Sequence, residues 1–283
     1  MTALAETQAR IASIRKLRTV VGAMRGIAAS HAQQARQLLP GFRAYAEVVA
    51  SGLARAADLL PPGTGAGAAP AAGGGAVVVF AAEHGLAGAF SDHVLAALPP
   101  AAGASLFVVG ARGVALAEQR GRPADWSTPM ASRASGVGAT ARHVADALYA
   151  GFVAGRLAKA EIVYARLSAT TESTVVRRPI LPIELGALRR PHAGPAPLTN
   201  LPPRRLIEQL IGEYVFAELA LAALESFASE NAARLTTMES ARLNIEKKLD
   251  GLSGEETLLR QEQITAEVQE VTSGALASEA SSD

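Results

Sequence analysis

Five histidines are among the side chains of this sequence that could hold a metal or act as a general base: His31, His84, His93, His143 and His192. No two of them form a close pair such as H-x-x-x-H or H-E-x-x-H, so their spacing predicts no local metal site. A site assembled from distant residues stays open. The chain contains no cysteine, which excludes disulfides, thiol nucleophiles and cysteine-based zinc sites. Serine and histidine occur without the turn motif that presents a nucleophilic serine.

Glycine-rich segments are the second place where chemistry could reside. The chain has no G-x-x-x-x-G-K-[ST], which excludes a P-loop. Gly63, Gly65 and Ala68 imitate a dinucleotide-binding fingerprint, but they precede the first predicted strand instead of following it. Residues 83–86, EHGL, do follow that strand, where α/β enzymes place active groups. The sequence favours a solvated turn at this position over an active site.

Charge is distributed unevenly along the chain, although the net charge is only +1. Residues 1–60 carry eight Lys or Arg against three acidic residues, and residues 203–283 carry seven against fifteen. The two ends should attract each other, although each exposed ion pair is weak. The basic residues near the start lack interleaved aromatic residues, which argues against binding of single-stranded nucleic acid.

The composition favours helices. Hydrophobic residues make up 49% of the chain and aromatic residues only 4%, and alanine, the best helix former, is abundant. No stretch reaches about 18 uncharged apolar residues, so we expect no membrane span. Residues 1–18 carry charges throughout and lack the apolar core of a signal peptide. We therefore expect a protein that works in the cytoplasm or on the cytoplasmic face of a membrane.

A hydrophobic pattern of the coiled-coil type covers residues 1–60. Apolar or small residues recur three and four positions apart, which keeps one face of a helix in a seam. These residues are Ile14, Leu17, Val21, Met24, Ala28, Ala35, Leu38, Phe42, Tyr45 and Val49, with His31 as a polar member. Pro40 is expected to kink or weaken the helix.

The C-terminal region, residues 204–283, shows the same pattern in two heptad series. The first contains Ile207, Tyr214, Leu221, Ala228, Leu235, Arg242 and Leu249; the second contains Leu210, Ala217, Leu224, Asn231, Met238, Ile245, Leu252 and Leu259. The two polar members, Asn231 and Arg242, would fix the register or face a partner. Gly251 and Gly254 should each weaken the helix by about 1 kcal/mol. One long helix at each end predicts an antiparallel coiled coil.

The middle of the chain has a different period and lies between two Pro- and Gly-rich linkers, 61–75 and 189–203. Buried strands are predicted at 76–82, 105–113 and 160–167, an edge segment at 175–183, and helices from about residue 91 and over 138–154. Strands that alternate with helices predict a small, parallel, Rossmann-like α/β domain. The predicted fold is therefore α/β plus long helices, with this domain at 76–188 inserted between the coiled-coil helices.

Motifs at both ends of the chain resemble those of the γ subunits of F-type ATP synthases. Residues 23–30, AMRGIAAS, resemble the motif A-M-x-x-(V/I)-A-A-S of the N-terminal helix in that family. Residues 223–238 and 260–275 resemble its two C-terminal motifs, and the spacing between them agrees with the family. HGLAG at 84–88 and the strand at 160–167 resemble family segments of the middle region. The resemblance covers nearly the whole chain in the family's order.

The resemblance implies a central rotor shaft that couples ion flow through a membrane sector to ATP synthesis or hydrolysis. Its partners would be the α and β subunits of a catalytic ring, the ε subunit and a ring of membrane c subunits, and no nucleic acid. The shaft would have no catalytic site and no cofactor of its own. The complex would place it peripherally on the cytoplasmic face of a bacterial inner membrane, as part of proton transport.

Eight residues match motif positions to which the resemblance assigns a role. The contacts between rotor and ring are assigned to Met24, Arg260 and Gln261, and shaft packing or coupling to Glu230, Arg234, Met238, Gln263 and Thr265. Core packing in the coiled coil is an equal interpretation for the two methionines. For Arg260, a solvated helix face is the corresponding alternative.

Glu83 and His84 replace the Asp-Arg pair of the family, which puts the contacts of that pair in doubt.

Two functions other than a rotor shaft remain open at this point. A non-energetic scaffold or adaptor derived from the γ architecture would form no stable complex with α and β subunits. A small-molecule-binding enzyme would instead need a ligand-sized pocket near Glu83 and Gly110.

Overall fold

The computed structural model describes residues 3–60, 73–100, 103–167, 173–183 and 198–280, with side chains up to residue 273. The predicted linkers lie largely outside the described residues, which omit 61–72 and 184–197. The helices are α1 (Ala3–Ala57), α2 (Phe90–Ala96), α3 (Ala111–Gln119), α4 (Val137–Val153) and α5 (Pro203–Ala280), with a 3-10 turn at Ala134–Gly136. The strands are β1 (Gly74–Phe80), β2 (Ser105–Val109), β3 (Trp126–Thr128), β4 (Leu157–Leu167) and β5 (Ser173–Leu181).

The chain divides into two compact units. Residues 1–27 and 236–283 form the helical unit, and residues 28–235 form the sheet unit. Both α1 and α5 contribute residues to each unit. No helix in the described part of the chain combines the length and the hydropathy that crossing a membrane requires.

A mixed five-stranded sheet organises the sheet unit in the order β3-β2-β1-β4-β5. The pairs β1–β2, β2–β3 and β1–β4 are parallel, and the edge strand β5 pairs antiparallel with β4. The predicted strands at 76–82 and 160–167 and the edge segment at 175–183 are confirmed within a few residues. The predicted parallel sheet is corrected to a mixed one, because only five residues separate β4 from β5 and a parallel crossover needs about a dozen or more.

The predicted strand at 105–113 is too long. β2 ends at Val109, Gly110 turns the chain at φ +108°, and α3 begins at the next residue. The sequence pattern also missed α3 and the three-residue strand β3. A strand as short as β3 shows no alternation that a sequence could reveal.

Both faces of the sheet are covered, which explains why its central strands are continuous apolar runs. On β1, Val78 and Phe80 pack toward α1, α4 and α5, whereas Val77 and Val79 pack toward α2 and α3. On β4, Tyr164 lies on the first of these faces and Val163 on the second. The segment 217–232 of α5 is buried at every residue.

The predicted seam of α1 needs a correction. Leu17, Met24 and Leu38 are 51%, 37% and 41% exposed and do not belong to the buried face. Much of the buried face consists of small residues, among them Ala32 and Ala46. Small side chains allow helices to approach closely, and these three larger residues remain outside. The predicted seam residues Val21 and Val49 are buried, as expected. The helix continues without a break through Pro40.

The heptad pattern of α5 is largely confirmed. Most of its members are buried, and Leu210, Leu235, Arg242 and Leu259 are half-buried. The two polar members are satisfied within their own helix: Asn231 donates to the carbonyl oxygen of Phe227, and Arg242 pairs with Glu239 and Glu246. In the helical unit, Gln8 bonds to Glu256 and Arg25 to Glu239, so the two helices run antiparallel there.

Gly113 shows how tightly α3 packs on the sheet. A Cβ atom at this position would lie 2.3 Å from the Cβ of Ala81, whereas one at Gly212 of α5 would meet nothing within 4 Å. We expect Gly113→Ala to lower the free energy of unfolding by about 1–3 kcal/mol through overpacking. Gly212→Ala, the matched control, should raise it by about 0.5–1 kcal/mol because alanine favours a helix interior. Urea unfolding of the full chain measures both, and equal changes at the two sites would contradict the tight packing.

Candidate functional site

A buried ion pair on α5 is the first cluster that contains predicted site residues. Glu230 is buried and pairs with Arg234 one helical turn later, and the Arg234 side chain is only 15% exposed. Both residues belong to the sheet unit. Burial raises the pKa of the Glu230 carboxyl, while Arg234, the backbone N–H of Glu83 and the charge of His84 act in the opposite direction.

Arg234 also connects α5 to the loop that follows β1. Its Nη2 lies 3.4 Å from the carbonyl oxygens of both His84 and Gly85, and its Nη1 lies 3.3 Å from Oδ1 of Asn231. The structure therefore brings the predicted Glu230 and Arg234 together with the segment in which this chain departs from the family motif. The guanidinium contacts backbone carbonyls there, so these contacts do not depend on which side chain occupies position 84.

Glu83 has a structural role that the sequence did not reveal. One of its carboxylate oxygens, Oε2, accepts hydrogen bonds from the backbone N–H groups of Ala111 at 3.1 Å and Met130 at 2.7 Å. Ala111 is the first residue of α3, where an acceptor satisfies a free N–H and the helix dipole favours negative charge. The sequence offered one signal for this role: an acid directly after a buried strand, together with a glycine turn at Gly110 before the next helix. Glu83 thus joins the three loops that follow β1, β2 and β3, at the carboxyl ends of these parallel strands.

A shallow cleft lies beside this loop. It encloses about 230 Å³ and is lined by His84, Leu86, Asp92 and Arg112, among others. Leu86 is 53% exposed and has a left-handed backbone with φ +67°. Ligand pockets usually measure about 300–1,000 Å³. The cleft lies where the enzyme alternative placed its pocket, since Ala82 and His84 flank Glu83 and Arg112 follows Gly110 by two residues, but its volume is below that range.

The two predicted methionines lie in different environments of the helical unit. Met238 is buried in a cluster with Ile11, Val21 and Ile245, so it packs between α1 and α5. Met24 is partly exposed and is absent from that cluster. Core packing is therefore the role the structure gives Met238, whereas Met24 is available to a partner.

The remaining predicted residues, at positions 260–265, all lie on an exposed part of α5 in the helical unit. Arg260 is 60% exposed and pairs with Glu256 at 2.9 Å. Gln263 donates to Glu267, and Thr265 donates to the backbone carbonyl of Gln261. These bonds stay within α5, and every residue from 260 to 265 is exposed. Among the residues that the structure describes, no group of three or more acids and histidines could hold a metal ion.

The raised pKa of Glu230 predicts a pH effect on stability. The folded chain holds this proton more tightly than an unfolded carboxyl does, so the group favours folding most at low pH. Its contribution is lost as the pH rises from its ordinary value of 4.5 through the raised pKa. Relative to Glu230→Gln, the unfolding free energy of the wild type should therefore fall across that range. Urea unfolding at a series of pH values measures this, and parallel curves for the two proteins would refute it.

Comparisons with known proteins agree over the whole chain. A sequence model of the ATP synthase family matches residues 3–277. The chain is 33% identical to the ATP synthase gamma chain of Frankia casuarinae and 32% identical to that of a Parafrankia species, with 96% of each chain covered in both cases.

Solved structures support the same fold. The chain is similar to a chain from the rotor structure of Euglena gracilis mitochondrial ATP synthase, with a TM-score of 0.64 and 14% identity over 92% of this chain and 98% of that one. It is also similar to a chain from the central stalk and c-ring structure of the Tetrahymena thermophila enzyme, with a TM-score of 0.54 and 19% identity over 78% of this chain and 99% of that one. The resemblance drawn from the motifs is confirmed: the chain belongs to the ATP synthase gamma-chain family.

Proposed function

We propose that this protein is the central rotor shaft of an F-type ATP synthase. It couples ion flow through the membrane sector to ATP synthesis or hydrolysis on a ring of α and β subunits. The observation that carries this proposal is the family match over residues 3–277, which includes both long helices and the sheet. The 33% identical relative from Frankia casuarinae, an ATP synthase gamma chain, is matched over 96% of its length.

Exposed apolar stripes in the helical unit support insertion into a partner. On α5, Ile264, Val268 and Val271 are more than half exposed and recur at helical spacing. On α1, a second stripe contains Leu17, Val20, Met24 and Ile27. Large apolar side chains that share a helix face indicate a surface that another protein covers. The cavity of a catalytic ring would provide that cover, with Met24, Arg260 and Gln261 as contacts to the ring.

Such a shaft acts by asymmetry and has no catalytic site or cofactor of its own. A helix pair presents a different face in each direction, so each catalytic subunit around it would make different contacts. Different contacts give different nucleotide affinities, and this is the free-energy coupling that allostery requires. Gln263, Thr265 and Met238 would keep the shaft packed and aligned. Glu230 and Arg234 would couple the shaft to the loop after β1.

The sheet unit would form the foot of the rotor. The similar chains come from a rotor and from a central stalk with its c-ring, so the partners proposed for the foot are the ε subunit and the c-ring. In this assignment the Rossmann-like foot domain covers 76–188, and 61–75 and 189–203 are linkers. Residues 1–60 and 204–283 form the antiparallel coiled coil. The complex would hold the protein peripherally at the cytoplasmic face of the bacterial inner membrane, where it takes part in proton transport.

Arg260 provides the test of the shaft role. Co-expression with the cognate α and β subunits should give a complex with one copy of this chain, whose ATPase activity depends on its presence. We expect Arg260→Ala to leave assembly intact but to lower ATPase or coupled proton pumping several-fold, because a charge-assisted contact to the ring is lost. Lys247→Ala is the control, since it removes another exposed positive charge from α5.

One outcome would overturn the shaft role, and another would overturn only the contact assigned to Arg260. If the ring forms and hydrolyses ATP equally well without this chain, a scaffold derived from the γ architecture becomes the better explanation. If Lys247→Ala and Arg260→Ala behave alike, the contact assigned to Arg260 is wrong, although the shaft role would still rest on the dependence of activity on the chain.

A further inference from the structure

Within the sheet unit, α5 buries two carboxylates on the face that packs against the sheet. Glu218 is 8% exposed and Glu225 is 1% exposed. They are seven residues apart, about two helical turns, so they lie on the same side of α5. A buried carboxylate is costly unless it is paired and hydrogen-bonded. Their partners therefore show which elements these acids hold together.

Glu225 joins three elements through one carboxylate. Its Oε1 accepts hydrogen bonds from Nε and Nη2 of Arg43 on α1, at 3.2 and 2.9 Å. Its Oε2 accepts a hydrogen bond from Nε of Arg166 on β4, at 2.8 Å. The two oxygens are thus held by different elements, and the carboxylate is fixed between α1 and the sheet.

The connection continues across the sheet to its edge. Nη2 of Arg166 donates to the hydroxyl oxygen of Tyr164 at 2.8 Å, and Tyr164 is fully buried. On β5, Arg178 lies 5.9 Å from the centre of the Tyr164 ring and forms an ion pair with Glu218. Glu218 and Glu225 thus close one polar network that contains α1, α5, β4 and β5.

Two serines of α5 add bonds to the ends of the strands. The hydroxyl of Ser226 donates to the carbonyl oxygen of Phe80 at 2.9 Å, and that of Ser229 donates to the carbonyl oxygen of Ala165 at 3.3 Å. Glu218, Glu225, Ser226 and Ser229 therefore each make a hydrogen bond to a strand of the sheet. They lie within residues 218–229 of α5, and the other residues of that segment are apolar.

Stability alone does not explain an acid at position 225. Replacing a buried ion pair with apolar residues of similar volume is often neutral or stabilising, whereas such pairs can fix the register of packed elements. Apolar contacts are not directional, so a helix packed only by them could turn slightly about its axis. A hydrogen bond weakens steeply when its angle or distance changes. A turn of α5 would move the Glu225 carboxylate sideways and break its bonds to Arg43 and Arg166.

We propose that Glu225 is the positioning residue that locks α5 and α1 to the sheet at one angle, so that torque passes between the sheet and the two helices without slip. The lock is a property of the sheet unit itself. Its use for torque rests on the proposed rotor function. The role of the network residues is to keep the parts of one rotor aligned.

The lock is tested first on the full chain alone. Because the chain has no cysteine, a pair of spin labels can be placed at exposed positions without background, through Glu118→Cys on α3 and Gln209→Cys on α5. The width of the distance distribution between the labels reports how freely α5 turns on the sheet. We expect Glu225→Gln to widen it at least twofold.

The control removes an ion pair of the same sheet that involves neither α1 nor α5. Glu161→Gln breaks the pair between Glu161 on β4 and Arg177 on β5, whose nitrogen and oxygen lie 2.7 Å apart. It should leave the distribution unchanged. Arg43→Gln serves as a second variant in case Glu225→Gln does not fold, because the Arg43 side chain is nearly half exposed. Arg43→Gln removes the bonds from α1 to Glu225 and leaves the bond from Arg166, and it should also widen the distance distribution between the labels.

The second measurement uses the assembled complex. We expect Glu225→Gln to reduce the number of protons pumped per ATP hydrolysed by at least half, while the Glu161→Gln complex behaves as the wild type. An unchanged label distribution in both Glu225→Gln and Arg43→Gln would overturn the lock. A widened distribution with unchanged pumping would overturn its use for torque. Failure of the wild-type chain to assemble with the ring would refute the rotor function, and the label distances would still decide the lock.

Discussion

The burial of α5 between α1 and the sheet is the constraint on which the sheet unit depends. Every residue from 217 to 232 is buried, so this segment must satisfy a different neighbour on each of its sides. Small and apolar residues fill most of that surface, among them Ala217 and Leu224. Several of its polar groups are paired with the strands: Glu225 with β4, and Ser226 with the end of β1. A helix enclosed in this way cannot be moved without disturbing the whole sheet.

The sequence revealed those parts of the fold in which burial produces a regular pattern. The heptads of α5 and the runs at 76–82 and 160–167 were legible because apolar side chains recur with the period of the element. The seam of α1 was read less well, since alanines such as Ala32 form much of its buried face and larger residues such as Leu17 stay outside. Hydrophobicity ranks leucine above alanine, whereas close helix packing selects the smaller side chain.

The candidate site was predictable only in part, for a different reason. The motifs indicated Glu230 and Arg234, which the structure brings together, but charge alone did not distinguish them from a solvated helix face. The roles of Glu83 and Glu225 could not be predicted from the sequence, because their hydrogen-bond partners lie far away in the chain. Glu225 pairs with Arg43, 182 positions earlier. A carboxylate becomes a structural element only when the fold supplies the donors.

The distribution of residue chemistry between the two units follows the demands of a rotating shaft. In the helical unit, the exposed surface carries apolar stripes such as Ile264, Val268 and Val271. Contacts of this kind are not directional, so they can be exchanged as a shaft turns past successive neighbours. In the sheet unit, the contacts of Glu225 are hydrogen bonds, whose strength depends on angle. A rotor needs both kinds of contact. Its outer surface must slide past the ring, whereas the helices and strands packed inside the sheet unit must not turn relative to one another.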